Sequence, residues 1–466
     1  MTAVSVPATV DGSMPAAAAA AAAASTVAAD GTAADAFDVA IVGSGIVGLG
    51  AALAAADRGL RVVVIDRSAE VQGATVRNFG HLCVTPQAGF ARALGERSRE
   101  IWLRLAADAD VWVRESGTFV VARHEDELRV LQEFAERTSA ASGSAIPATQ
   151  TIQDPLFSHR GERQPLRALG EGLFLKTEDE QIRMLDAETF RSIAPVAPAS
   201  VVGGAWLPRD LQANPRQAAS AIQSHLRSRG VEFRMRTAVT GVRSGAVETT
   251  RGSVTAGTVV VAVNHDIDQL YPEVAERLQI RRCGLDMMRV RGRLRAPLHA
   301  PLLTGWSMLR YGAFAELPSI GEVRERLTRS EPVLAALDLN LMTTQLPDGS
   351  LIVGDTHYRG EAVPPFQSEH AFQELLRATG ELFGTREPRV IERWQGVYAS
   401  APQDFLVEEP EPGVHFVAAT TGIGMTTGLA LGEHAIDAAH GGSQLRSVPA
   451  SRAETPHSPA DTPNRS

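Results

Sequence analysis

Lysine is all but missing from this chain: Lys176 is the only one among 466 residues, and arginine supplies the rest of the 45 basic side chains. Lys176 stands in Leu175-Lys176-Thr177 without the glycine pattern of a phosphate-cradling loop, which excludes a P-loop ATPase. A pyridoxal Schiff base would have to use that same residue, which has no supporting motif around it. Cysteine is nearly as scarce. Cys83 and Cys283 cannot build a disulfide framework or a four-cysteine zinc site, so no metal centre is expected and a reducing, cytoplasmic setting is. Hydrolase signatures are absent as well, with no Gly-x-Ser-x-Gly elbow and no His-Glu-x-x-His. No charge-free apolar stretch reaches the roughly 18 residues that a membrane span needs.

The acidic balance, a net charge of -9 and a pI near 5.8, gives the chain no attraction for nucleic acid or anionic membrane. Local basic runs, Arg281-Arg282 and Arg289 to Arg293, read as solvated faces. Residues 1–35 carry an alanine run, Ala16 to Ala24, preceded by Asp11 and by no Lys or Arg. A secretory signal would need a basic start, so a disordered low-complexity tail is expected there. Residues 441–466, rich in Ser, Pro, Thr and Arg, are expected to be a second tail.

From Phe37 the pattern changes. Phe37-Asp38-Val39-Ala40-Ile41-Val42 reads as a buried strand, and Gly43-Ser44-Gly45-Ile46-Val47-Gly48 as a tight turn opening an alanine-rich helix to about Arg58. A second strand follows at Arg61–Asp66. Gly43 permits the turn, Gly45 lets a pyrophosphate approach the backbone, and Gly48 lets helix and strand pack closely. The helix N-terminus offers free N–H groups and a partial positive charge to phosphate. Asp66, 23 positions after Gly43 and followed by Arg67, stands where a ribose-binding carboxylate is expected. Such a unit serves FAD and NAD equally.

The later chain separates the two. Thr258 to Val263 is a strand that returns to the same parallel sheet after the helix-and-strand section Pro215 to Val247. Val414 to Ala419 then runs into Thr420-Thr421-Gly422-Ile423-Gly424-Met425-Thr426-Thr427-Gly428 and a helix to about His440. This second strand–glycine-turn–helix unit supplies another helix dipole, suited to the negative charge of a flavin taking up electrons. FAD, held non-covalently, is therefore expected, with an NAD-linked enzyme disfavoured.

With Trp394-Gln395-Gly396-Val397, these two turns resemble the D-amino acid oxidase superfamily, which includes glycine oxidase, sarcosine oxidase and D-amino acid dehydrogenase. The resemblance covers about Phe37 to Ala439. It implies an α/β protein: a Rossmann-like FAD-binding domain with a parallel sheet, and an α+β substrate domain with a mostly antiparallel sheet capping the flavin. The expected division is 36–112, 196–272 and 390–440 for the first, and 113–195 and 273–389 for the second. Gly73-Ala74-Thr75-Val76-Arg77-Asn78-Phe79-Gly80-His81 further resembles a bacterial subgroup linked to breakdown of aminophosphonates, N-methylated 2-aminoethylphosphonate among them.

The expected activity is oxidation of a C–N bond in a small amine or amino acid, with hydride passing to flavin. No acid–base pair is obligatory for that step; orientation and desolvation are what the protein adds. An anionic substrate would need a guanidinium, because arginine grips carboxylate or phosphonate oxygens in pairs. Arg77, Arg310 and Arg359 are the candidates, with His81, His357, Tyr358 and Tyr398 as further polar groups. In a strand, 357 and 359 share one face and 358 takes the other. Cofactor contacts are expected from Gly43, Ser44, Gly45, Ile46, Val47, Gly48, Asp66, Arg67, Arg77, Asn78, Gly422, Gly424 and Met425. Cys83 reads as a packing residue in preference to a covalent flavin link. Sarcosine oxidases use a lysine near the flavin to activate oxygen. Lys176 lies before the returning strand, so the electron acceptor is oxygen or another molecule. An FAD-binding partner subunit without turnover of its own is the alternative.

Overall fold

Phe37–Val42 form strand β1, and their side chains alternate between two cores. Val39 and Ile41 enter one with helix α1 (Ile46–Asp57); Ala40 and Val42 enter the other, on the opposite face. A parallel strand covered on both sides shows this double burial. The computed structural model describes residues 36–142, 181–385 and 388–441; Lys176, residues 1–35 and residues 442–466 lie outside them.

β2 (Val62–Ile65) pairs parallel with β1, and Glu232–Arg234 extends that edge. On the other side of β1 lies Val254–Val261, also parallel, followed by parallel Val414–Thr421. These strands are the expected parallel sheet, although the returning strand starts earlier than its apolar run, at Val254. The other half is mostly antiparallel: it runs through Arg281–Arg291, Leu351–Gly360, Met342–Gln345 and Leu302–Leu303, which joins Thr118–Ala122 in parallel, and on to Gly203–Leu207.

The two halves are not separate sheets. Arg389–Glu411, a strand of 23 residues, pairs through its first part with Arg281–Arg291 and through its second with Val414–Thr421. One 15-stranded sheet results, and the described residues from Phe37 onward pack as one unit. A small three-stranded sheet, His81–Leu82, Leu211–Ala213 and Val113–Arg114, sits beside it. Among the described residues no helix is long and apolar enough to cross a membrane.

α1 and the C-terminal helix Gly424–His440 cross at backbone distance. A Cβ at Gly432 would overlap the Val47 carbonyl and the Ala51 amide, one at Gly50 the Leu429 carbonyl, and one at Gly428 the Ile46 side chain at 2.8 Å. Side chains can shift, but these backbones are fixed by their own hydrogen bonds. Gly432→Ala should therefore cost about 3 kcal/mol in urea unfolding of the FAD-free protein, near the upper end for overpacking. An unchanged midpoint would mean that the two helices are not in this contact.

Candidate active site

Both helices begin at one cleft of about 1000 Å³, open to solvent. Gly45, Ile46 and Val47 line it from the first turn; Gly422, Ile423, Gly424, Met425 and Thr426 line it from the second. The glycines of the first turn divide by role. Gly43 has φ +103°, and a Cβ there would stand 2.6 Å from the Ala262 carbonyl oxygen; one at Gly48 would overlap the Gly43 carbonyl. Both are required by the chain itself. Beside Gly45 only Thr75 Oγ1 comes near, at 3.3 Å, so the space there is left open. Thr75 accepts the Ile46 N–H at 3.0 Å, holding the first turn of α1.

Ser44 lies behind the turn. Its N–H and hydroxyl both donate to Asp66 Oδ2 at 2.8 Å, while Oδ1 accepts the Ser68 N–H. Asp66 thus closes the turn against the end of β2. Arg67 points away, in an exposed ion pair with Asp266 at 2.6 Å, and does not line the cleft.

The segment resembling the aminophosphonate subgroup forms one wall. Asn78 staples it, donating to the Ala74 and Thr75 carbonyls and accepting the Gly80 N–H. Arg77 joins it to the Trp394-Gln395-Gly396-Val397 motif: its guanidinium donates to the Gln395 carbonyl, and its own carbonyl accepts from Trp394 Nε1, each at 3.2 Å. Arg77 lines the cleft and, among the described residues, has no carboxylate at ion-pair distance. His81 lines it too, with Nε2 2.6 Å from Thr118 Oγ1.

Leu285, Gly396 and Tyr398 form the opposite wall, on one face of the antiparallel strands. His357 is opposite Leu285 in register, and Arg359 opposite Cys283, so both share that face. Tyr358 does not. It lies on the other side of the sheet, where its hydroxyl accepts from Gln395 Nε2 at 2.8 Å and faces Asp286 at 3.4 Å. Its expected catalytic place is corrected by this orientation. Arg310 and Arg359 are also taken: both bind Asp338 at 2.8 Å, and Arg310 donates to His357 Nδ1 at 2.7 Å. Neither arginine, nor His357, lines the cleft. Burial, reinforced by the Arg310 charge, pushes the His357 ring well below its ordinary value and leaves it neutral.

Beneath this group, burial pushes the Asp355 carboxyl up to about 7, against the charge of Arg310 and a 3.0 Å hydrogen bond from Asn340. Tyr311 and Tyr398, which line the cleft, keep neutral hydroxyls because burial raises both well above 10. Burial raises the Cys83 thiol as well, and the Tyr311 hydroxyl donates to Met342 Sδ at 3.8 Å. Sequence reasoning gave no role to Thr75, Met342, Thr426 or Asp210. Thr75 and Thr426 lie inside the two glycine-bearing segments already singled out but were passed over there, while Met342 and Asp210 stand in no motif and reach the cleft or its wall only through the fold.

The Asp66 carboxylate is turned to Ser44 and Ser68 and does not line the cleft. An open space beside Gly45 and two converging helix N-termini, by contrast, fit the pyrophosphate of FAD. They define an FAD-binding oxidoreductase. Residues 38–438 match the family described as FAD dependent oxidoreductase (DAO), and the chain belongs to it. No curated protein matches its sequence. Among solved structures it is similar to glycine oxidase from Geobacillus kaustophilus, with 18% identity, a TM-score of 0.64, and coverage of 86% of this chain and 94% of that one. It is also similar to iminodiacetate oxidase from Chelativorans sp. BNC1, with 16% identity, a TM-score of 0.61, and coverage of 88% and 97%. L-alpha-glycerophosphate oxidase from Mycoplasma pneumoniae, solved with FAD bound, gives 15% identity, a TM-score of 0.62, and coverage of 88% and 96%.

Two outcomes follow from this geometry. Gly45→Val should fold, since its side chain meets little protein, yet fail to retain FAD, whose phosphates need that space. Absorbance after gel filtration, beside far-UV circular dichroism, reads both; a folded yellow variant would move the phosphate site elsewhere. Asp355→Asn should depend on pH. An unfolded carboxyl ionises near 3.8, whereas the folded one keeps its proton to about 7. Ionisation therefore opposes folding increasingly between those values, reaching about 4 kcal/mol above them. The asparagine variant should be more stable than wild type at pH 8, and no more stable at pH 4, in parallel urea melts.

Proposed function

We propose that the protein oxidises the C–N bond of a small anionic amine, and that its preferred substrates carry a phosphonate, as N-methyl-2-aminoethylphosphonate does. The observation that carries this reading is Arg77, a guanidinium at the cleft with no carboxylate partner among the described residues, while Arg310 and Arg359 are both neutralised by Asp338. A guanidinium at the cleft without a carboxylate partner favours an anion there. The likeness of residues 73–81 to the aminophosphonate subgroup supports the phosphonate. The names glycine oxidase and iminodiacetate oxidase describe relatives whose substrates combine an amine with an acid group.

Bound FAD supplies the hydride acceptor. The chain's own part is to orient the donor C–H and keep water out. Leu285, Met342 and Met425 are apolar lining, and Tyr311 and Tyr398 present neutral hydroxyls to the substrate. Residues 36–112, 196–272 and 390–440 would hold the cofactor, with 113–195 and 273–389 shaping the substrate side. The cofactor is held without a covalent bond: burial raises Cys83, the thiol at the cleft, and keeps it protonated.

Flavin bleaching under anaerobic conditions tests the reading. N-Methyl-2-aminoethylphosphonate should bleach the flavin faster than sarcosine, glycine or D-alanine, and acid precipitation should leave all colour in solution. Arg77→Ala should keep FAD but lose roughly 30- to several-thousand-fold in kcat/KM toward anionic amines, which corresponds to about 2–5 kcal/mol. If sarcosine or D-alanine reacts fastest, the phosphonate preference falls. If Arg77→Ala keeps wild-type efficiency, the anchor falls.

A further inference from the structure

Behind the cleft wall, one ring nitrogen of His81, the Cys83 sulfur and a carboxylate oxygen of Asp210 lie within 4.8 Å of one another, all buried. His81 Nε2 and Asp210 Oδ2 are 3.7 Å apart. His81 ends up beside Cys83 because the chain turns directly after the short strand His81–Leu82, the Val84 N–H donating to the Leu82 carbonyl at 3.2 Å. Asp210, in the turn between Gly203–Leu207 and Leu211–Ala213, is brought against them because its Oδ1 accepts the Val84 and Thr85 N–H groups at 3.0 and 2.7 Å.

The unused atoms matter most. Asp210 is fully buried, yet its Oδ2 has no hydrogen-bond partner; His81 Nδ1 is buried and has none either. Each residue is tethered through one polar atom, His81 to Thr118 and Asp210 to two backbone amides, and leaves the other unsatisfied. A buried carboxylate oxygen without a partner is costly unless a cation or proton donor completes it.

We infer that His81, Cys83 and Asp210 form a binding site for a divalent transition-metal ion of the zinc class. A thiolate and a carboxylate bring two negative charges, so a divalent ion leaves the buried site neutral, with the imidazole as a neutral third donor. Sulfur and nitrogen donors select zinc-like ions over magnesium or calcium. On loading, the sulfur–metal bond forms as the thiol proton leaves to solvent. Tetrahedral zinc places its donors roughly 3.3–3.8 Å apart; His81 Nε2 and Asp210 Oδ2 stand 3.7 Å apart and all three donors lie within 4.8 Å, so loading draws them inward and releases Nε2 from Thr118 Oγ1. Since His81 and Cys83 line the cleft, a fourth position opens toward it.

The FAD-loaded full-length protein, stripped with EDTA and dialysed against zinc, should keep about one zinc per chain through gel filtration. Elemental analysis counts it, and competition with a chromophoric chelator gives its affinity. Asp210→Asn retains an oxygen for the two backbone amides, and Cys83→Ser is nearly isosteric. Both should stay yellow while losing at least about 100-fold in zinc affinity, and magnesium should not compete. Cobalt added to the wild type should show a thiolate-to-metal band in difference spectra against the flavin. Wild-type protein that retains no zinc and shows no such band overturns the site, whatever the variants do. Zinc held equally by both variants marks binding at other side chains and overturns it as well.

Discussion

The contact between α1 and the C-terminal helix is the constraint on which the cleft depends. Two helices from opposite ends of the described chain cross where Gly50, Gly428 and Gly432 have no side chain to keep them apart. Only because they lie that close do their N-termini open on the same space, bringing Ile46 and Gly424 to one ligand. Each dipole is modest alone and fades within a turn, so two directed at one site matter more than their sum at separate places. The strands that lead into them, β1 and Val414–Thr421, stand on either side of Val254–Val261, and that spacing positions the helices.

On the other wall, charge is arranged by competition. Four basic or acidic groups, Arg310, Arg359, His357 and Asp338, satisfy one another at a short distance from the cleft. Asp355 beneath them is buried deeply enough to keep its proton near neutrality. The outcome is a wall whose charges are spent internally and whose exposed chemistry is aromatic hydroxyl and aliphatic. Arg77, from a different element, lines the cleft and has no carboxylate partner among the described residues.

Much of the fold was legible because parallel strands and glycine turns write themselves locally. Phe37–Val42 is apolar at every inward position, and Gly43 and Gly48 mark a turn that no other residue could make. Both helices followed from the same signals, although each begins inside the segment read as a turn, at Ile46 and at Gly424. Pairing between distant side chains has no local signature. Nothing near Arg310 announces Asp338, nothing near His81 announces Asp210, and Arg67 gives no sign of turning toward Asp266. The strand alternation rule did separate Tyr358 from His357 and Arg359, but which face met the cleft required the register with Arg281–Arg291. The role of Gly432 was hidden for a related reason: a glycine inside a helix reads as a weakness until its neighbour's backbone is seen against it.

The strand Arg389–Glu411 belongs to both halves of the sheet, and it lies late in the chain. During synthesis, Arg281–Arg291 and Val254–Val261 each emerge with an edge that stays unpaired until this strand and its neighbour Val414–Thr421 arrive. Two long edges therefore wait for one piece of polypeptide to join them. Non-local pairing of this kind is slow, and open edges invite association in the interval. A ribosome that stalls before residue 389 would release a chain with two unfinished sheets, which makes the last stretch of translation the period in which this protein most needs a chaperone.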